Sequence, residues 1–243
     1  MPRFFVKKED IDNEKVFIRS DDAYHIARSL RMAVGDSITV CDGDGIEYLC
    51  RLERIRDEEC ECSVIERRTS LSEPKTRITL YMAYPKGDKL ETVIQKAVEL
   101  GAARIVPFES SRCIKRPKED KIEKQTARLR RIAEEAAKQC GRAILPEVGA
   151  PLSYSKMLNV ATEADVSLFC YEAEDGATVK TAISGKKFST LSIIVGSEGG
   201  FSPEEAAEAI AAGCRSVSLG HRILRCETAP LFALAAVSYE MEL

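Results

Sequence analysis

Apolar and polar positions divide the chain into two regions of different rhythm. In the first, residues 37–40 and 46–52 flank Asp42-Gly43-Asp44-Gly45, and Ile46, Tyr48, Cys50 and Leu52 alternate with Glu47 and Arg51. Period two on either side of a glycine-rich turn predicts a β-hairpin. A further strand over 60–66 supplies enough sheet for a small β-barrel. Ahead of the hairpin, a short helix opened by Asp21 or Asp22 has Ile26, Ala27 and Leu30 at core spacing, which leaves His25, Arg28 and Arg31 along one flank.

Near Ser72-Glu73-Pro74-Lys75 strands begin to alternate with helices, so two domains are expected, 1–72 and 73–243. Strands are predicted over 77–83, 104–108, 143–148, 165–171, 191–196 and 215–219. A helix over 88–100 opens on the capping-box-like Asp88-x-x-Glu91, turns Leu90, Val93, Ile94 and Ala97 inward and stops at Gly101. A longer helix over 119–140 carries Ile122, Leu129, Ile132, Ala136 and Cys140 on its inner face. Alternation of this kind predicts an α/β domain whose parallel sheet is covered on both faces. The last helix, around 231–237, is apolar nearly all round and needs more than one neighbour, from a deep interior or from a dimer contact.

Composition adds limits. With 44% hydrophobic and 31% charged residues in 243, the chain can bury a core, and disorder, collagen and coiled coil are excluded. No apolar run approaches the roughly 18 residues of a membrane span, and the three apolar residues between charges at the N-terminus do not make a signal peptide; a cytoplasmic protein is expected. Nine cysteines without a Cys-x-x-Cys pair give neither a zinc ribbon nor a disulfide framework, and Cys60 and Cys62 share one strand face. Buried, reduced cysteines and no metal are expected.

The formal charge of −3 conceals a basic middle: residues 1–70 hold 12 basic and 16 acidic groups, 71–145 hold 17 and 10, and 146–243 hold 7 and 13. Arg112, Lys115, Arg116, Lys118, Lys121, Lys124, Arg128, Arg130, Arg131, Lys138 and Arg142 concentrate there. Such a stripe attracts polyanions by releasing their counterions; a solvated helix face is the other reading.

Candidate chemistry lies where strands end. Ile193-Ile194-Val195-Gly196-Ser197-Glu198-Gly199-Gly200-Phe201-Ser202-Pro203-Glu204-Glu205 runs a buried strand into a glycine-rich loop and then a helix capped by Ser202, with Pro203 at its first position. Ligands of open α/β sheets sit at such carboxyl ends. Gly196-x-x-Gly199-Gly200 is not the dinucleotide spacing, which disfavours a nicotinamide cofactor; a tight strand-to-helix turn is the bland alternative. The next strand leads into Ser218-Leu219-Gly220-His221-Arg222-Ile223-Leu224-Arg225-Cys226-Glu227-Thr228-Ala229-Pro230, with two arginines, a carboxylate and apolar residues.

These loops together resemble the trefoil-knot (SPOUT) RNA methyltransferases, and within them the RsmE family. The likeness also takes in Met1-Pro2-Arg3-Phe4-Phe5, the 25–36 segment, Pro85-Lys86-Gly87-Asp88-Lys89, Gln95-Lys96-Ala97-Val98-Glu99-Leu100-Gly101, Ser111-Arg112-Cys113 and Gln139-Cys140-Gly141-Arg142. It covers almost the whole chain. Cys226, where threonine is expected, and His221, where proline is common, are departures.

The resemblance implies a PUA-like or OB-like N-terminal RNA-binding barrel and a knotted C-terminal domain. It implies a homodimer that uses S-adenosylmethionine to methylate uracil N3 in 16S, small-subunit ribosomal RNA. The cofactor is expected at Tyr171, Glu172, Gly196, Ser197, Glu198, Gly199, Gly200, Leu219, Gly220, Ile223, Leu224 and Arg225. Uracil N3 must lose a proton to become a nucleophile, which calls for a base or for cations that stabilise the anion. Arg225, Arg222, Lys86 and Arg112 are candidate cations and Glu198 and Glu227 candidate bases; Arg225 and Glu198 are the catalytic expectation. RNA contacts are expected at His25, Arg28, Arg31, Lys86, Arg112 and Arg142. A non-catalytic RNA-binding protein, a nucleotide-dependent oxidoreductase, and a knotted methyltransferase acting on transfer RNA or a ribose hydroxyl are the competing readings.

Overall fold

A computed structural model describes residues 1–12, 14–114, 116–117 and 119–242, so Lys115 and Lys118 of the basic stripe lie outside the described residues. The chain forms two compact units, Met1–Glu73 with Ala137–Leu145, and Pro74–Ala136 with Pro146–Leu243.

In the first unit β1 (Arg3–Phe5), β2 (Lys15–Arg19), β3 (Ser37–Cys41), β4 (Ile46–Ile55) and β5 (Glu59–Thr69) form one curled sheet of order β1-β3-β4-β5-β2. Only the β1–β3 pairing is parallel. The predicted hairpin is β3–β4, and its turn closes because the Asp42 carboxylate accepts the amides of Asp44 (2.8 Å) and Ile46 (3.1 Å). Val16, Ile18, Ile38, Val40, Cys50, Leu52, Cys60 and Cys62 fill the core, so both paired cysteines are packing residues.

Two local expectations fail here for physical reasons. Glu47 is buried: the strand alternation breaks at a register shift between Leu49 and Cys50, and Arg3 (2.8 Å), Arg68 (3.0 Å) and Ser70 Oγ (2.8 Å) all donate to its carboxylate. The predicted helix is short, α1 (Ser20–Tyr24), and widens at once into a π-helical turn, His25–Ser29, with Arg31 beyond it at φ 51°. The wider turn removes the helical register, so Ile26 is buried but Leu30 is 40% exposed, and Arg31 lies beyond the helical residues. Arg28 is engaged by Asp57 through two hydrogen bonds of 2.9 and 2.6 Å.

Arg142 is also corrected as an RNA contact. Its guanidinium is 4% exposed and donates to Glu73 at 3.1 and 2.8 Å, while the other Glu73 oxygen takes the amides of Ala143 and Ile144. Those amides are lost to any sheet, so the strand predicted over 143–148 shrinks to two residues.

The second unit contains β6 (Arg77–Ala83), α2 (Lys89–Glu99), β7 (Arg104–Glu109), most of α3 (Ile122–Cys140), β8 (Glu147–Val148), β9 (Leu152–Ser153), α4 (Tyr154–Ala161), β10 (Val166–Cys170), α5 (Val179–Ile183), β11 (Thr190–Val195), α6 (Pro203–Ala211), β12 (Arg215–Val217) and α7 (Thr228–Glu242). Its sheet is parallel throughout, in the order β12-β10-β11-β6-β7-β8, with β9 also on β7. The predicted capping box of α2 does not form: the Asp88 side chain makes no cap bond and Glu91 binds Arg128 of α3 at 2.9 Å. At α6 it forms in full, between Ser202 and Glu205.

Helix α7 packs on α2, α5 and β11 through Pro230, Ala233, Leu234 and Val237. Phe232 and Tyr239, on its other side, are 43% and 71% exposed. The helix read as apolar all round therefore buries one face within its own chain and leaves an apolar stripe outside.

Removing one partner of a buried ion pair strands the other charge. Arg142→Ala is expected to destabilise the protein by about 3 kcal/mol, read as a lower urea midpoint.

Candidate functional site

Strands β12, β10 and β11 are neighbours that run the same way, so the segments after Val217, Cys170 and Val195 emerge side by side. They enclose one cavity, lined by residues 170–172, 195–200, 218–220, 222–224, 226 and 229, with about 790 Å³ of empty space including its open mouth.

The first wall depends on absent side chains. A Cβ at Gly196 would lie 3.1 Å from the Gly200 Cα, and one at Gly199 would lie 3.0 Å from the Arg112 Cβ. Gly200 has φ 63°, and a side chain there would collide with the Glu172 carboxylate. Around this thin loop the supports are stiff. Phe201 is buried 4.2 Å from the Phe169 ring and stacked with Phe108 at 6.3 Å. Glu205 completes the α6 cap with one carboxylate oxygen and accepts the Ser111 amide with the other at 2.7 Å. Arg112 Nη1 donates to the Gly199 carbonyl at 3.0 Å.

The second wall is the segment between β12 and α7. The Tyr171 amide donates to Val217 (3.0 Å), and the Ser218 amide to Ala177 (2.7 Å). Leu219 and Leu224 are half-buried, while Ile223 stands 86% exposed at the lip. Every residue expected at the cofactor lines this cavity except Arg225. The Arg225 carbonyl accepts the amides of Thr228 and Ala229 at 2.8 and 2.9 Å, so the residue is committed to starting α7 and its side chain is exposed.

Two features bear on what the cavity holds. Ser197 is 6% exposed, lies in the wall, and its hydroxyl has no hydrogen-bond partner among the described residues. An orphaned buried hydroxyl is costly, and a polar ligand group would relieve it. Glu198 is the opposite case: its carboxylate accepts the Lys86 amide at 3.0 and 3.3 Å and the Lys89 ammonium at 2.9 Å. The same ammonium reaches Glu227 at 3.3 Å and Cys226 Sγ at 3.6 Å. Burial works against the Glu198 charge, but the hydrogen bonds from Lys89, the backbone and Cys226 outweigh it and hold the carboxyl at about 2. Such a carboxylate is a weak proton acceptor and a strong anchor. Burial pushes the Cys226 thiol up to about 12.

Lys89 was not singled out by sequence reading. Its signal was its place two residues after Gly87 in the Pro85-Lys86-Gly87-Asp88-Lys89 run, but nothing there says that it meets two loops more than a hundred residues away. Lys86 and Arg112 are exposed beside the glycine-rich wall, and Arg222 is part of the second. His25, Arg28 and Arg31 belong to the other unit.

Comparison with known proteins identifies this arrangement. Residues 72–238 match the RNA methyltransferase domain family, and residues 18–65 the RNA methyltransferase PUA domain. A relative from Bacillus subtilis, ribosomal RNA small subunit methyltransferase E, is 35% identical over all of this chain and 98% of its own length. The chain belongs to the ribosomal RNA small subunit methyltransferase E family. A Synechocystis member is 31% identical over 99% of this chain and 78% of its own length. The Neisseria gonorrhoeae member, solved bound to S-adenosyl methionine, superposes with a TM-score of 0.88 at 30% identity, over 98% of this chain and 97% of that one. A Legionella pneumophila protein in complex with the same cofactor gives 0.87 at 28% identity, over 98% and 96%. The expected class, a parallel-sheet α/β methyltransferase domain with a small PUA-type β domain, is the one this family has.

A depressed carboxyl pKa adds stability that is fully present above the unfolded value and is lost as pH falls through the folded one. Carboxyl-carbon NMR is therefore expected to show Glu198 still ionised at about pH 4, below the ordinary Glu value of about 4.3, with its stabilising contribution lost progressively as pH falls from there to about 2.

Proposed function

We propose that this protein binds S-adenosylmethionine in the cavity at the ends of β10, β11 and β12 and methylates N3 of a uracil in 16S, small-subunit ribosomal RNA. The observation that carries the reading is the composition of the wall: a glycine cradle that only backbone can line, an unpartnered buried Ser197 hydroxyl, and half-buried Leu219 and Leu224. That set suits an adenosyl group, which needs apolar walls, close backbone and a few polar partners. The cofactor supplies an electrophilic methyl group on a sulfonium.

The protein's part is to hold the uracil nitrogen in line with that methyl and to favour loss of the N3 proton. Positioning carries much of such a displacement. Glu198, pinned by Lys89 and the Lys86 amide, is assigned a positioning role rather than the base. Arg225, exposed on the loop between Leu224 and Cys226 of the cavity lining, is proposed as the cation that stabilises the developing uracil anion, with Arg222, Lys86 and Arg112 as further exposed candidates. His25 and Arg31 in the PUA-type unit are proposed RNA contacts. The apolar stripe of Phe232 and Tyr239 supports a homodimer as the working form, and a cytoplasmic location follows from the substrate.

The test is incubation of the protein and the cofactor with small-subunit ribosomal RNA, free or in the subunit, and in parallel with transfer RNA. Nucleoside mass spectrometry is expected to find one new methyl on uracil N3. A methyl on a ribose, on transfer RNA, or nowhere would overturn the assignment. Gly199→Val, whose side chain would enter the space of Arg112, is expected to abolish calorimetric binding of the cofactor. Light scattering is expected to give a dimer.

The basic stripe divides on inspection: Arg128 pairs with Glu91, Arg130 donates to the Val148 carbonyl, and Arg131 lies 3.9 Å from Glu135. Lys121 and Lys124 remain exposed and are the stronger candidates for phosphate contact. Replacing either with Ala is expected to lower the salt dependence of RNA binding by about one unit of slope and to spare cofactor affinity. Arg225→Ala is expected to reduce turnover even at saturating RNA.

A further inference from the structure

One side chain joins three segments that are far apart in sequence and meet at the cavity. Lys89 is the first residue of α2; Glu198 follows β11, and Glu227 precedes α7. The ammonium lies 2.9 Å from Glu198, 3.3 Å from Glu227 and 3.6 Å from Cys226 Sγ, and the thiol in turn lies 3.3 Å from Glu227. Two carboxylates of like charge on separate loops thus share a single cation, and both loops supply cavity wall. Without that cation the two loops would carry mutually repelling charges with no ammonium between them.

We propose that Lys89 is a positioning residue that sets the two cofactor loops against each other through Glu198 and Glu227; the proposal rests on the reading of this cavity as the cofactor site. The Lys89 side chain is 35% exposed, so solvent screening keeps its contribution to global stability small. Its effect is geometric. A displacement of about 1 Å in a positioning element is enough to cost a large factor in a preorganised site. Cys226 fits the same arrangement, as a buried thiol with its proton retained that donates between the carboxylates.

The experiment compares wild type, Lys89→Met, Lys89→Arg and Glu227→Gln by calorimetric titration with S-adenosylmethionine and S-adenosylhomocysteine, alongside urea unfolding. Lys89→Met keeps the apolar stem and is expected to weaken both ligands about tenfold or more, with little change in urea midpoint. Lys89→Arg is expected to recover to within about threefold of wild type, and Lys89→Met with Glu227→Gln to regain part of the loss, because one of the stranded carboxylates is then neutral. Ligand affinity in Lys89→Met within twofold of wild type would overturn the proposal. So would a loss matched by a fall in urea midpoint that Lys89→Arg does not restore. Should Lys89→Met fail to fold, Glu227→Gln alone removes one arm of the clasp, and wild-type affinity in it would count against the role. Failure of the wild type itself to bind either ligand would instead overturn the cofactor reading.

Discussion

The parallel pairing of β10 with both β11 and β12 is the constraint on which the site depends. Parallel neighbours point their carboxyl ends the same way, so three loops remote in sequence emerge together. The strands themselves are covered on both faces: Val166–Cys170 is buried at every position, and in Thr190–Val195 only the first residue is not. Such strands leave no room for a ligand between them and their covering layers, and binding groups are confined to the carboxyl edge of the sheet. Everything else in the catalytic unit holds that edge still. Phe201 sinks one end of the glycine-rich loop into an aromatic cluster, and the Ser202–Glu205 cap sets where the following helix begins.

Charge compensation sets the second level of order. Three groups of buried or shared carboxylates have their cations: Glu47 has Arg3 and Arg68, Glu73 has Arg142, and Glu198 and Glu227 have Lys89, whereas buried Glu205 is held by backbone amides. The first two hold the β-rich unit and are removed from function by doing so. The third sits in the wall of the cavity, where the same physics acts on a ligand site. Pairing that holds Glu198 at about 2 makes it a fixed negative group rather than a proton acceptor.

Some of the reading from sequence held because its signals were local. The Ser202-Pro203-Glu204-Glu205 start of α6 and the Asp42 turn each depend on residues within one turn of each other, and the core spacing of α2 on residues within a few turns. Local patterns misled where a distant partner outbid the neighbour. Glu91 bonds Arg128 rather than capping α2, and Glu73 consumes the amides that strand 143–148 would have needed. The π-helical turn at His25–Ser29 broke the helical register that the spacing of Ile26, Ala27 and Leu30 had suggested.

By itself the sequence determined the α/β alternation, the glycine-rich and arginine-bearing loops at strand ends, the burial of cysteines such as Cys60 and Cys62, and a family likeness spread over the whole chain. These are properties of order and spacing along the chain. Only the tertiary structure decided that Arg142 is buried, that Arg225 is committed to the start of α7, that Glu198 is an anchored carboxylate, and that Lys89 belongs to the site. Each of those depends on which remote group arrives within about 3 Å, the reach of a hydrogen bond, and that is set by how strands and helices pack rather than by the residues beside it.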